Sequence, residues 1–321
     1  MDETSFQGGS LVIIILLFLL SIPLSYILLP IFLTVHKLNR ESDKQTAIYP
    51  IINHFRHIVM IELLLFVLLI VSIVLRETVF SQYFESFEYS PEGAAFGLVL
   101  YFFIISLSYF PSIQYILHFV LALQRFLLYF YPEYEKYFAW SKLRFNVLLI
   151  SLYSFFTVKN SIAFCIWQFA ERKDIDAVIL EIHWYLAIFL NSLLIISAIL
   201  YIPIMISVLK LTNLVSAAEH KPHIYIFCQV LLHLSTRIIF FTILITDMMN
   251  DERFKVFGPL FLTTIIDIFM TPLTIQVAYL ICSRKNVRTV LNLSLDNIFR
   301  DLCCPTSRTA TVQPGLESTR I

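Results

Sequence analysis

Arg237 and Asp267 are the residues of this 321-residue chain whose type and placing say most about chemistry. Arg237 is the only formally charged side chain in the apolar run Ile224 to Thr246, and Asp267 the only one in Val256 to Cys282. Arg237 lies about nine residues from the end of its run and Asp267 about eleven from the matching end of the other, so at a helical rise of about 1.5 Å both sit roughly 13 to 17 Å deep. Opposite charges at matched depth suit an ion pair. Two readings stand: a structural bridge that neutralises both, or the polar floor of a ligand pocket.

A second set involves Glu62, in the run Ile58 to Leu75, and Arg125, near the end of Ala94 to Tyr129. Glu62 is expected about one turn inside the boundary at which Arg125 emerges, which suits a resting ion pair; the alternative is Arg125 reaching to headgroups alone. Lys159 with Asn160, in Phe145 to Ala170, has a similar depth and no evident partner. An ionisable group in such a run costs roughly 3 kcal/mol on insertion scales, so each is a functional hypothesis by default. Tyr101, Tyr109, His183, Trp184, Tyr185, Asn191, His233 and Thr263 are further pocket candidates, against a reading as interfacial anchors.

Chemistry the chain lacks narrows the classes. The last apolar run has no lysine for a retinal Schiff base, and HExxH, a GxGD aspartate and a glycine-rich phosphate loop are absent. Neither an enzyme nor a cofactor or metal site is expected. The five cysteines form no CxxC pattern, so neither a disulfide framework nor a zinc site is expected. Lys plus Arg equals Asp plus Glu at 23 each, which gives no reason for a nucleic-acid partner.

The elements that must hold these groups follow from composition. With 58% hydrophobic residues, only 6 Gly and mean hydropathy +0.79, the chain belongs in a bilayer. Besides the runs above, Leu11 to Val35 and Ile182 to Leu209 are long enough to cross, which makes seven spans. Sixteen of the 23 Lys and Arg fall on the side of the first connection and five on the other; Lys159 and Arg237 lie within spans. By the positive-inside rule residues 1–10 are outside and the tail inside.

Beyond the seventh span, Val287, Val290, Leu291, Leu295, Ile298 and Phe299 recur at helical spacing among basic residues, which predicts an amphipathic helix over 283–304 lying on the inner leaflet. It ends at Cys303 and Cys304, either palmitoylated or plain thiols. Residues 305–321 are polar and expected to be disordered.

Four blocks carry a resemblance: KLNRESDKQTAIYPIINHF (Lys37 to Phe55), LALQRFLLYFYP (Leu121 to Pro132), YIPIMIS into EHKPHIYIFCQ (Tyr201 to Gln229) and DIFMTPLTIQVAYLICSRKN (Asp267 to Asn286). With them the chain resembles the nematode seven-transmembrane chemoreceptors, most closely serpentine receptor class Z (Srz), over nearly all its length except the outer loops and tail. The resemblance implies a G-protein-coupled receptor of sensory neurons, in the plasma membrane and its cilia, reached by odorants or soluble cues. Gln124, Arg125 and Phe126 then look like an Asp-Arg-Tyr motif lacking its acid. Pro272 with Tyr279 stands where Asn-Pro-x-x-Tyr would, at different spacing, and the cysteine that usually heads the third helix is missing.

The expectation is thus an all-α membrane protein, a seven-transmembrane helix bundle over 11–282. It would bind an extracellular small molecule or peptide and signal to a heterotrimeric G protein through Glu62, Gln124, Arg125, Phe126, Pro272 and Tyr279. The alternatives are a ligand-gated channel subunit of the odorant-receptor kind and a multi-span transporter. Paired broken helices typical of transporters are not evident.

Overall fold

The computed structural model describes residues 3–44, 46, 48–79, 91–131, 133, 142–169, 173–210, 222–248, 257–282 and 284–292. Among them are the helices α1 (Glu3–Lys44), α2 (Tyr49–Val79), α3 (Pro91–Phe130), α4 (Lys142–Phe169), α5 (Lys173–Lys210), α6 (Pro222–Met248), α7 (Phe257–Ile281) and α8 (Arg284–Leu291). Six contain a stretch long and apolar enough to cross a bilayer, and α6 carries a shorter one, Ile224–Ile239. The fold is the seven-helix membrane bundle expected, with α8 beyond it. The end of the bundle holding the α1–α2 turn and α8 is called the basic end below.

Helix is the only open structure a single chain segment can hold in hydrocarbon, because every backbone N–H then finds a carbonyl within the segment. Prolines at 23 and 30 (α1), 111 (α3), 203 (α5) and 272 (α7) are carried inside continuous helices. Ser and Thr hydroxyls return to backbone carbonyls one turn back, as from Ser25 to Ser21 (2.8 Å) and Thr34 to Pro30 (2.8 Å), a bond that bends helices slightly.

Burial in α2 illustrates how the bundle chooses its inward face. Phe55, Val59, Glu62, Leu63 and Phe66 are buried, whereas Met60, Ile61, Leu64, Val67 and Leu68 are exposed. Both faces are apolar, because the outer one meets lipid rather than water. The Tyr26 hydroxyl ties α1 to α2 by donating to the Leu63 carbonyl.

α7 is the axial element. Of its membrane-length window, 61% is buried, against 11% for α4, and it touches α1, α2, α3, α6 and α8. α3 runs chiefly along α5, and α4 lies outside, against α3 and α5.

One predicted boundary shifts. α2 starts at Tyr49 rather than Ile58, after a tight turn in which the Thr46 hydroxyl and N–H both donate to the Asp43 carbonyl (2.6 and 2.9 Å). Of the amphipathic helix expected over 283–304, Arg284–Leu291 is seen as helix; residues 293–304, with Cys303 and Cys304, lie outside the described residues.

Candidate functional site

The two charged residues that opened the sequence reading do meet. Arg237 on α6 and Asp267 on α7 form an ion pair through Nη2 and Oδ2, with side chains 15% and 12% exposed. Tyr115 on α3 completes a triangle: its hydroxyl donates to Asp267 Oδ1 at 2.7 Å and accepts from Arg237 Nη2 at 3.4 Å. A hydroxyl can do both at once, which lets one oxygen bridge the pair. The Arg237 guanidinium carbon also stands 5.5 Å from the Tyr115 ring centroid, within cation–π range.

Below this triangle the polar side chains continue toward the basic end. His233, one turn from Arg237, meets the Tyr115 ring edge-on at 5.4 Å, and His118 lies 6.0 Å from His233 and 5.5 Å from Phe55 of α2. His118, His233 and Gln114 are fully or almost fully buried. Both His118 ring nitrogens, His233 Nε2 and both Gln114 amide atoms have no hydrogen-bond partner among the described residues. Three helices thus converge on a strip of polar groups that the protein itself only partly satisfies, a pattern typical of sites that bind or switch.

A second polar layer closes the basic end. The Tyr279 hydroxyl of α7 donates to Asp43 Oδ2 of α1 at 2.7 Å, and Asn286 Nδ2 of α8 donates to the Tyr279 carbonyl at 2.6 Å. Asn39 Nδ2 donates to Asn286 Oδ1 at 2.7 Å, joining α1 to α8. The Tyr279 ring is clasped by Phe32 (5.4 Å), His36 (5.8 Å) and, at right angles, Tyr225 of α6 (5.7 Å). Gln229 Nε2 donates to the Tyr225 hydroxyl at 2.9 Å. Nearby, burial pushes the Lys285 ammonium below its usual range, opposed by the Asp43 carboxylate.

Several expectations are corrected. Cys228 of α6 and Cys282 after α7 form a disulfide, Cα to Cα 6.6 Å, where none was expected; antiparallel neighbours bring together positions 54 apart in sequence. Glu62 and Arg125 do not pair. Contact of Phe55 with His118 fixes the register of antiparallel α2 and α3, and Glu62 lies seven residues from that contact in one direction, Arg125 seven in the other. The separation is on the order of 20 Å. Glu62 is wholly buried with no hydrogen-bond partner for either oxygen among the described residues, and Arg125 lies near Tyr201 of α5, whose hydroxyl, like Arg125 Nε, has no hydrogen-bond partner among the described residues.

The pocket candidates separate into groups. His233, Arg237 and Asp267 come together. Tyr101 packs on Phe164 (5.2 Å) and Tyr109 on Phe156 (6.3 Å), so both belong to the α3–α4 seam. Trp184 and Tyr185 are exposed, and the Tyr185 hydroxyl donates to Glu181 on its own helix (3.2 Å), which favours the anchor reading over a pocket role. Asn191 donates to the Ala187 carbonyl (2.8 Å) and His183 is half-buried, both on α5. Asn160 is buried on α4, which carries no member of the triangle, beside half-buried Lys159. The Thr263 side chain lies outside those described. Of the coupling candidates, Gln124 and Pro272 are buried, and Phe126 is half-buried on Phe130 (4.6 Å). Tyr279 is buried in the basic-end layer.

Sequence reasoning missed Tyr115, His118 and Gln114. Their signal was a polar side chain every three or four residues along α3, which puts Gln114, Tyr115 and His118 on one flank.

A family model described as serpentine type 7TM GPCR chemoreceptor Srz matches residues 14–284. No curated protein and no solved structure matches the chain.

Proposed function

We propose that this chain, which belongs to the serpentine 7TM GPCR chemoreceptor Srz family, detects an extracellular small molecule or peptide and relays its binding to a heterotrimeric G protein. The family is one of receptors rather than enzymes, and the chain is a multi-pass membrane protein. The finer reading places the N-terminus outside, the basic end in the cytosol and the protein in the plasma membrane, with sensory cilia as the site of action.

The observation that carries this reading is the Tyr115–Arg237–Asp267 triangle, which joins α3, α6 and α7 at one level. A ligand seated above it with its own polar groups would compete for the Arg237 and Asp267 bonds and shift the three helices relative to one another. A ligand changes the conformational balance only by binding one arrangement more tightly, and a partly satisfied buried pair supplies that difference. At the basic end the Tyr279–Asp43 and Asn39–Asn286 bonds hold α7 and α8 to α1. Arg125, Gln124 and Phe126 at the end of α3, with α8, would offer the surface a G protein engages.

The test is expression of the full chain in cells carrying a calcium or cAMP reporter, challenged with volatile and soluble cues. A cue that evokes a response dependent on a G-protein α subunit, with no uptake of the cue, supports the reading. An epitope tag before Met1 should be stained on intact cells; a tag reached only after permeabilisation would overturn the orientation and the receptor with it.

A further inference from the structure

A cavity open to the surface lies away from the triangle, between α1 and α2 at the basic end, and has a volume of about 460 Å³. His36, Lys37 and Arg40 of α1 line it together with Arg56 and His57 of α2. None of its lining residues is acidic. The two nearest acids in sequence are engaged elsewhere: Glu41 with Lys44 at 2.7 Å, and Asp43 with the Tyr279 hydroxyl at 2.7 Å. His36 is 2% exposed, and its Nε2 and the buried Arg56 Nε have no hydrogen-bond partner among the described residues. Three formal cations and two imidazoles thus surround one cavity, and His36 Nε2 and Arg56 Nε have donor or acceptor capacity left over there.

The apolar part of the wall decides what kind of anion fits. Leu33 precedes Lys37 by one turn of α1, and Met60 follows Arg56 by one turn of α2. Because α1 and α2 are antiparallel, both apolar residues lie on the side of the bundle's middle, and the cations lie toward the basic end. Met60 is 44% exposed, and its neighbours Ile61 and Leu64 continue an exposed apolar face up α2. The cavity therefore straddles the level at which hydrocarbon gives way to headgroups, with its polar half below and its apolar half open to acyl chains. A soluble anion has no use for the upper half.

We propose that this cavity is a binding site for an anionic membrane lipid whose headgroup carries more than one phosphate. Lys37, Arg40 and Arg56 take the phosphates, and Leu33 and Met60 pack against the acyl chains. Cavities of about 300 to 1,000 Å³ suit a ligand larger than a single phosphate ion, and basic pockets between spans on the cytoplasmic side are suited to such headgroups. A guanidinium offers a planar fork to phosphate oxygens, and Arg40 is steadied by its Nε bond to the Tyr49 hydroxyl (3.4 Å). Assignment of the lipid to the inner leaflet rests on the orientation proposed above; the site itself does not.

The experiment uses the full chain in phosphatidylcholine nanodiscs, titrated with a fluorescent phosphatidylinositol bisphosphate. Saturable binding is expected, weakening as salt is raised. Each cation removed should weaken it about five-fold, so Lys37→Gln with Arg56→Gln should give about 25-fold. Met60→Trp, which fills the apolar half, should weaken lipid binding while leaving all three cations. Arg288→Gln, on the exposed face of α8, should leave it unchanged. Soluble inositol trisphosphate and inorganic phosphate, the probes for a free anion, should compete poorly.

Wild-type affinity in both the double variant and Met60→Trp would overturn the proposal, as would an equal loss in Arg288→Gln, which would mean diffuse attraction to a basic surface. Competition by the soluble probes at concentrations matching the lipid would overturn the lipid assignment. Thermal melting identifies a variant that has not folded; should the double variant fail there, Met60→Trp and Lys37→Gln alone decide. Binding is read without cue or G protein, so a protein that never signals still answers the question.

Discussion

Asp267→Asn is the sharpest perturbation of the central triangle. The substitution keeps the shape but removes the charge that balances Arg237, whose side chain is only 15% exposed. Removing one partner of a buried pair costs about 3 to 5 kcal/mol, because the other charge is left uncompensated. Partial exposure and the modest value of polar contacts between membrane helices, averaging about 0.6 kcal/mol, pull the estimate to the low end. About 3 kcal/mol is expected for Asp267→Asn and a similar loss for Arg237→Gln. Tyr115→Phe, which removes a bridging hydroxyl but no charge, should cost about 1 kcal/mol. The double variant Asp267→Asn with Arg237→Gln should lose much less than the sum, a coupling of about 2 to 3 kcal/mol. Thermal melting of the purified protein in detergent is the assay, and for a chain of this size about 3 kcal/mol corresponds to a fall of roughly 4 to 5 °C. Strict additivity of the two single losses would refute the reasoning, since it would mean the charges do not sense each other.

Tyr279→Phe removes the bond from α7 to Asp43 and should raise ligand-free signalling about five-fold if that bond contributes about 1 kcal/mol to the resting arrangement; unchanged basal signal at normal surface level would remove Tyr279 from the switch. Glu62→Gln should leave stability unchanged or slightly raised, because neither carboxyl oxygen has a partner among the described residues. A loss above about 2 kcal/mol in the same melting assay would reveal a partner for it. With Cys303 and Cys304 replaced by serine, maleimide should label Cys165 alone in the folded protein and reach Cys228 and Cys282 only after reduction and unfolding. The crosslink closes a 54-residue separation, for which loop-closure entropy gives an upper value of about 4 kcal/mol; labelling of all three thiols before reduction would show the bond absent.

How far the sequence could lead depended on the kind of signal. A lone charge in an apolar run is costly enough to announce itself, so Arg237 and Asp267 were legible as a pair from depth alone. Tyr115 was not, because sixteen tyrosines are spread through the chain and only the packing of α3 against α7, with Arg237 reaching over from α6, selects one. Glu62 was misplaced for a local reason: Asn53, His54, Arg56 and His57 interrupt the apolar pattern and put the apparent start of the span at Ile58, yet Tyr49 to His57 form the first turns of α2 and carry Glu62 far from Arg125. The lipid-facing and buried sides of α2 differ in no composition a sequence reveals, so its inward face emerged only in the bundle. Cys228 and Cys282 carry no motif spacing, and their meeting depends wholly on α6 and α7 running side by side.

The geometry of α7 ties the two polar layers together. Asp267 and Tyr279 are twelve residues apart, about 18 Å of helix, and each is held by groups from other helices: Tyr115 and Arg237 above, Asp43 and Asn286 below. A rigid rod pinned at both ends could not answer a change at one without straining the other. Pro272 lies between the pins, and a proline there leaves the Ile268 carbonyl without its usual helical donor. The helix is therefore most easily bent between its two anchors. A disturbance of the Asp267 layer can be taken up at that point and delivered to Tyr279 as a change of tilt, and the Cys228–Cys282 link obliges the lower part of α6 to follow. On this reasoning α7 and α6 move as one at the basic end, while α1, held by hydrogen bonds and by the packing of Phe32 and His36 on Tyr279 but by no covalent link, is the partner from which they part.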